Sequence, residues 1–239
     1  MSAYAHLRPL RNPENDAKLI SKSLANLGFS VTEVLNGKRA DLIASLQELV
    51  GRIQASGKNS AVVVYLAGHG IQVDGLNYFL PVDAHIERKE DVRASAVDVE
   101  SMMVGLKNTD SEVIHFFLDA CSNEPFRQPI EIGQGRGLAA IDVRAISSGR
   151  SDRHYNTVEV PVSFALGLAA QPGNFALDGD GQNSPYALAL ARAMETEGLD
   201  SEDVLLETRN LVARLTSNEQ VPWSNTSLRK AFYFKPLPQ

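Results

Sequence analysis

Residues 61–70 read Ala61-Val62-Val63-Val64-Tyr65-Leu66-Ala67-Gly68-His69-Gly70. The opening run is apolar and β-branched without alternation, the pattern of a strand buried on both faces of a parallel sheet. It ends in a histidine flanked by glycines. A second run, Val113-Ile114-His115-Phe116-Phe117-Leu118, has the same character and ends in Asp119-Ala120-Cys121. A third spans Val160 to Leu168.

Helical patterns separate these runs. Asn12 with Pro13 and Glu14 marks a helix start, and Ala17, Ile20, Leu24 and Leu27 follow before Gly28 stops it. Asp41 to Ile53, Val97 to Leu106, Pro185 to Met194 and Ser201 to Leu215 read as further helices. Strand alternating with helix predicts an open α/β sheet. Ser30 to Leu35 is expected as a short strand, Gln72 to Pro81 as a hairpin turning at Asp74-Gly75, and Ala231 to Phe234 as a closing strand. Pro125 to Thr157, rich in Gly, Ser and Arg, carries little periodicity and reads as a long loop.

Composition bounds the function. The 239 residues are 44% hydrophobic and 22% charged, enough for a real core. A net charge of −6 with no basic cluster argues against a nucleic-acid partner. No apolar run reaches the ~18 residues of a membrane span. Met1 to His6 lacks the basic and apolar regions of a signal peptide. The single cysteine forbids an intrachain disulfide and fits a reducing compartment, so a cytoplasmic location is expected.

The chemistry gathers at two strand ends. In parallel α/β sheets, ligands bind outside the carboxyl ends of the strands. If the first two apolar strands are neighbours, His69 and Cys121 face one crevice. An imidazole there can take the thiol proton and create a nucleophilic thiolate. The N–H groups of Gly70 and Cys121 are candidates to hold a developing oxyanion.

This order of motifs resembles the caspase-like cysteine peptidases, specifically bacterial members related to metacaspases. The resemblance rests on Val62 to Gly70, on Asn77-Tyr78-Phe79-Leu80-Pro81-Val82-Asp83, and on Phe117 to Cys121. It also takes in Asn12 to Ala17, Asp178-Gly179-Asp180-Gly181-Gln182-Asn183-Ser184-Pro185, and Gln220 to Trp223. His69 precedes Cys121 by 52 positions, in agreement with the separation of about 50 known for caspases. The resemblance implies a caspase-like three-layer sandwich around a mostly parallel sheet, with His69 and Cys121 as the catalytic dyad and a polypeptide substrate. It divides the chain into a large lobe (1–143), an inter-lobe loop (144–159) and a small lobe (160–239). Ser122 stands where bacterial relatives usually carry Arg.

Asp119 lies two residues before Cys121, on the same side of an extended strand. In metacaspase-like enzymes the matching acid binds an Arg or Lys before the cut bond. A carboxylate prefers such a cation and repels an Asp side chain. Cleavage after Arg or Lys is therefore expected. Asp178 and Asp180 are candidates for a second acid in that pocket, against the plainer reading of an Asp-Gly turn before the helix at Pro185. Asp-x-Asp-Gly lacks the other ligands of a calcium loop, so no metal residues are assigned and no cofactor is expected; the resemblance alone leaves calcium dependence open. Arg144, Arg150 and Arg153 are candidate sites of self-cleavage. Trp223 fits either the peptide groove or the core.

Family members usually carry an apolar first strand just before the segment matching Ser2-Ala3-Tyr4, and this sequence shows none there. The unpaired backbone edges then need a partner, and two outcomes are expected: another segment fills the gap, with Val158 to Val162 as the candidate, or two copies share or exchange strands as a homodimer. A caspase-like interaction module without peptidase activity is the alternative reading, against which the retained His–Cys pair argues.

Overall fold

The computed structural model describes residues 1–121, 163–171 and 174–238, with Cys121 through its backbone alone. In chain order the elements are α1 (Pro13–Asn26), α2 (Arg39–Ser56), β1 (Ala61–Val73), β2 (Leu76–Phe79), α3 (Val92–Ser95), β3 (Val97–Asp98), α4 (Val99–Lys107), β4 (Val113–Cys121), β5 (Ser163–Leu168), α5 (Pro185–Met194), α6 (Ser201–Leu215) and β6 (Trp223–Thr226).

The six strands form one mixed sheet in the order β3-β2-β1-β4-β5-β6. The three longest, β1, β4 and β5, are parallel neighbours at its centre. Their apolar runs are buried on both faces, as parallel strands between helices must be. Val62, Leu66, Ile114, Phe116 and Leu118 pack on one face with Leu42 and Ile53 of α2 and Met103 and Leu106 of α4. Val63, Tyr65, Phe117 and Ala165 pack on the other with Ile20 and Leu24 of α1, Leu190 of α5 and Val212 of α6. The chain is thus an α/β three-layer sandwich, and strands from before residue 122 and after residue 162 share its sheet.

Local chemistry sets several boundaries. Asp74 and Gly75 both adopt positive φ (52° and 76°), as a two-residue turn between antiparallel strands requires. Ser184 caps α5 by accepting from the Ala187 N–H at 2.9 Å, with Pro185 in the first turn. The Asp200 carboxylate accepts from the N–H groups of Glu202 and Asp203 and starts α6.

Three expectations are corrected. Ser30 to Leu35 enters no ladder, because no strand among the described residues lies beside it. The closing strand is Trp223–Thr226, antiparallel to β5; around Ala231–Phe234 only Tyr233 makes an isolated bridge, to Asp200. Asn12 does not cap α1 with its side chain. Its Nδ2 instead donates to the carbonyls of Asp178 and Gly179, tying the start of α1 to the segment before α5. The loop expected over Pro125 to Thr157 and the candidate filler Val158 to Val162 lie outside the described residues.

Candidate active site

β1 and β4 run side by side with Ala61 opposite Val113, and the ladder continues to its last pair, His69 opposite Cys121. The glycine-flanked histidine and the cysteine therefore meet at the carboxyl ends of two adjacent central strands, about 4.8 Å apart in the sheet. Strand alternation turns the N–H groups of Gly70 and Cys121 toward the seam between β1 and β4.

His69 is 1% exposed. Its Nε2 lies 2.8 Å from the Arg8 carbonyl oxygen, which can only accept. Nε2 thus carries the ring proton, and Nδ1 keeps the lone pair a general base needs. The His69 backbone N–H donates to the Tyr4 hydroxyl at 2.7 Å, and the two rings lie 4.6 Å apart. Residues 4–8 therefore grip the histidine at two points. Gly68 makes that grip possible: a Cβ there would lie 2.6 Å from the Tyr4 hydroxyl oxygen and 3.0 Å from Met1 Cβ.

Near the two strand ends lie two buried acids. Asp119 is 3% exposed. Its Oδ2 accepts from the Tyr65 hydroxyl at 2.9 Å and the Ser184 hydroxyl at 2.6 Å. Its Oδ1 is buried with no hydrogen-bond partner among the described residues. Burial pushes its pKa up to about 6, against the lowering by those two hydroxyls. Asp16 of α1 stands beside it, 1% exposed, accepting from Asn183 Nδ2 at 2.9 Å and Ser184 N–H at 2.8 Å. Burial, followed by the Asp119 charge, pushes Asp16 up to about 7. Two buried carboxyls thus stand side by side, one with an oxygen that has no hydrogen-bond partner among the described residues.

Over residues 1–233 the chain matches the family described as the caspase domain, among the peptidases. The chain belongs to the caspase-domain peptidase family. It is accordingly a cysteine-type endopeptidase, and the α/β sandwich with its adjacent His and Cys strand ends is that domain. No curated protein matches the chain.

The remaining candidates of this caspase domain fall at different places. Both Asp178 oxygens accept backbone N–H groups, from Arg11 at 2.8 Å and Asn12 at 3.2 Å, so this carboxylate is engaged in anchoring the start of α1. Asp180 is exposed, and its carbonyl accepts from Arg11 Nη1 at 3.2 Å. Trp223 is half-buried in β6 and packs against the core. Arg144, Arg150, Arg153 and Ser122 lie outside the described residues. Among the described residues there is no group of three side chains able to hold a metal ion, and no helix long and apolar enough to cross a membrane.

Sequence reasoning missed Asp16 as a buried acid beside Asp119. The available signal was its place on the apolar stripe of α1: Asp16, Ile20 and Leu24 recur at a spacing of four, so an acid there is buried and needs a reason.

Proposed function

We propose that this peptidase cuts after Arg or Lys, with Cys121 as nucleophile and His69 as its base. The Cys121 thiol passes its proton to His69 Nδ1, and the sulfur attacks the carbonyl carbon of the peptide bond. The Gly70 and Cys121 N–H groups hold the oxyanion. Collapse breaks the C–N bond, the leaving amine takes the proton from His69, and an acyl-enzyme remains. Water, losing a proton to His69, then attacks the acyl carbon and expels the thiolate. Every step is assigned to protein groups, without a cofactor.

The observation that carries the specificity is the buried, unpartnered Oδ1 of Asp119, two residues before Cys121 and beside Asp16. An Arg or Lys side chain supplies the charge those carboxyls lack. Fluorogenic peptides ending in Arg, Lys or Asp test this: turnover in the order of the cations over Asp supports it, and faster cutting after Asp overturns it. The same preference makes Arg144, Arg150 and Arg153 sites of self-processing between the lobes. Purified wild type then yields two fragments on a denaturing gel while Cys121→Ala stays whole. The lone thiol of the dyad suits a reducing, cytoplasmic setting.

A further inference from the structure

Tyr186 stands in the first turn of α5, two residues after Ser184, and is 1% exposed. Its hydroxyl has no hydrogen-bond partner among the described residues. A Cβ on Gly167 of β5 would lie 2.6 Å from that hydroxyl oxygen, 2.9 Å from a Phe117 ring carbon and 3.1 Å from Leu205 Cδ2. The hydroxyl thus rests on β5 over a residue without a side chain, in apolar company. Phenylalanine would fill the same space without burying an unpaired polar group. A buried tyrosine usually finds a partner for its hydroxyl, so the orphan here calls for a reason.

A second orphan lies one pleat away. Gly167 is opposite Phe117 in the ladder between β4 and β5. Asp119 follows Phe117 by two positions, so both point to the face covered by α1 and α5. One pleat of strand, about 7 Å, separates their levels. The Oδ2 of Asp119 takes the Tyr65 and Ser184 hydroxyls, and its Oδ1 takes no donor among the described residues. The two unpartnered atoms therefore share one face of the central strands at neighbouring levels. Tyr186 stays a neutral phenol, because burial, followed by the Asp119 charge, pushes its pKa well above the ordinary phenol value. Its oxygen is free to accept from a cation that also bonds Asp119.

We propose that the Tyr186 hydroxyl is a specificity-determining group: it receives the far end of an arginine side chain and makes the enzyme prefer Arg over Lys before the cut bond. This rests on the reading that Asp119 and Asp16 receive a substrate cation. A guanidinium is a rigid fork, and its outward N–H groups serve two acceptors about 7 Å apart. An ammonium is a point donor, and two acceptors bonded to it lie only about 5 Å apart. One fork can therefore donate to Asp119 Oδ1 and to Tyr186 together. Lysine satisfies the carboxylates and leaves the phenol orphaned.

The test compares wild type with Tyr186→Phe on two fluorogenic peptides that differ only in Arg or Lys before the cut bond. A pH of about 8 keeps Asp16 and Asp119 ionised. Wild type should favour Arg by at least about tenfold in kcat/KM, the worth of one hydrogen bond to a charged group. Tyr186→Phe should lose about tenfold on the Arg peptide, through KM, and less than about twofold on the Lys peptide. Its urea midpoint should equal or exceed that of wild type, because the hydroxyl removed has no partner in the free protein. In full-length Cys121→Ala protein, the uncut Arg peptide should bind about tenfold more weakly once Tyr186→Phe is added, with binding of the Lys peptide unchanged. Equal losses on both peptides would make Tyr186 a structural residue and overturn the proposal. So would a variant as selective for Arg as wild type. Wild type cutting an Asp-ended peptide faster than either is a different failure, that of the cation reading, and the proposal falls with it.

Discussion

Asp16 and Asp119 are bridged by one serine: the Ser184 N–H donates to Asp16 and its hydroxyl donates to Asp119, at 2.8 and 2.6 Å. One residue thus aligns acids from α1 and β4 while capping α5 with the same hydroxyl oxygen, which accepts from Ala187 N–H. The pairing of the two acids and the packing of α1 against α5 are therefore one construction.

Asp16→Asn separates stability from function. Asn keeps an oxygen for Asn183 and Ser184 but carries no charge. The folded-state pKa of Asp16 is raised from 3.8 to about 7, so its protonated form is the favoured one in the fold. The stability this confers is full below pH 3.8 and is lost as pH rises through about 7. The variant should be more stable than wild type by about 2 kcal/mol at a pH of about 8, and not at a pH of about 4. Urea denaturation at the two pH values checks this. Turnover of an Arg-ended peptide should fall at least about tenfold, mostly through KM.

With these acids binding the substrate cation as proposed, the same shifts set the pH dependence of KM. A substrate cation needs ionised carboxylates, and Asp119 and Asp16 ionise near 6 and 7. KM for an Arg-ended peptide should drop as pH rises through that window. In Asp16→Asn the drop should be confined to the Asp119 range. A KM flat in wild type across this window would remove these acids from substrate binding.

Gly68→Ala tests the grip on His69. The new methyl would meet the Tyr4 hydroxyl oxygen at 2.6 Å and a Phe79 ring carbon at 3.1 Å, so Tyr4 or the strand must shift. Both outcomes disturb the acceptor of the His69 N–H. An overpacked core site costs about 1–3 kcal/mol, and kcat should fall at least about tenfold because the imidazole moves with the backbone. Tyr4→Phe, which removes the acceptor without adding volume, should lower kcat less and stability by about 1–2 kcal/mol. Thermal unfolding beside single-turnover kinetics distinguishes the two effects.

Much of this was readable from residues 61–121, where two uninterrupted apolar runs admit little but buried parallel strands, and their ends brought His69 and Cys121 into register. Pro185–Met194 and Ser201–Leu215 were equally legible, because Ser184 and Asp200 sit locally before them as caps. Ser30 to Leu35 was not, since a strand exists only with a partner, and its pattern says nothing of one. Nor was the end of the chain: Phe232 and Phe234 look like strand residues but pack their rings against His115 instead. The roles of Asp16 and Asp178 depend on contacts more than 160 positions away, beyond any local pattern.

His115 gives the opposite pH signature to Asp16. Its Nε2 lies 2.7 Å from the Ser201 hydroxyl, which itself donates to the Phe232 carbonyl at 3.1 Å. The hydroxyl proton is thereby committed, so Nε2 is the donor and the ring is neutral. Burial pushes its pKa down to about 3 from 6.5. The stability it contributes is present above pH 6.5 and is lost as pH falls toward about 3. Over that range this group alone lowers the unfolding free energy by up to about 1.4 kcal/mol per pH unit, while Asp16 and Asp119 raise it. In the wild type the opposed slopes partly cancel. His115→Phe keeps the aromatic packing and leaves Ser201 its Phe232 acceptor, at a cost of about 1 kcal/mol for the lost bond at neutral pH. Its unfolding free energy should then rise on acidification from a pH of about 6.5 to about 4.5, where wild type stays flatter. Identical pH slopes in the two proteins would mean that the ring is already solvated in the native state.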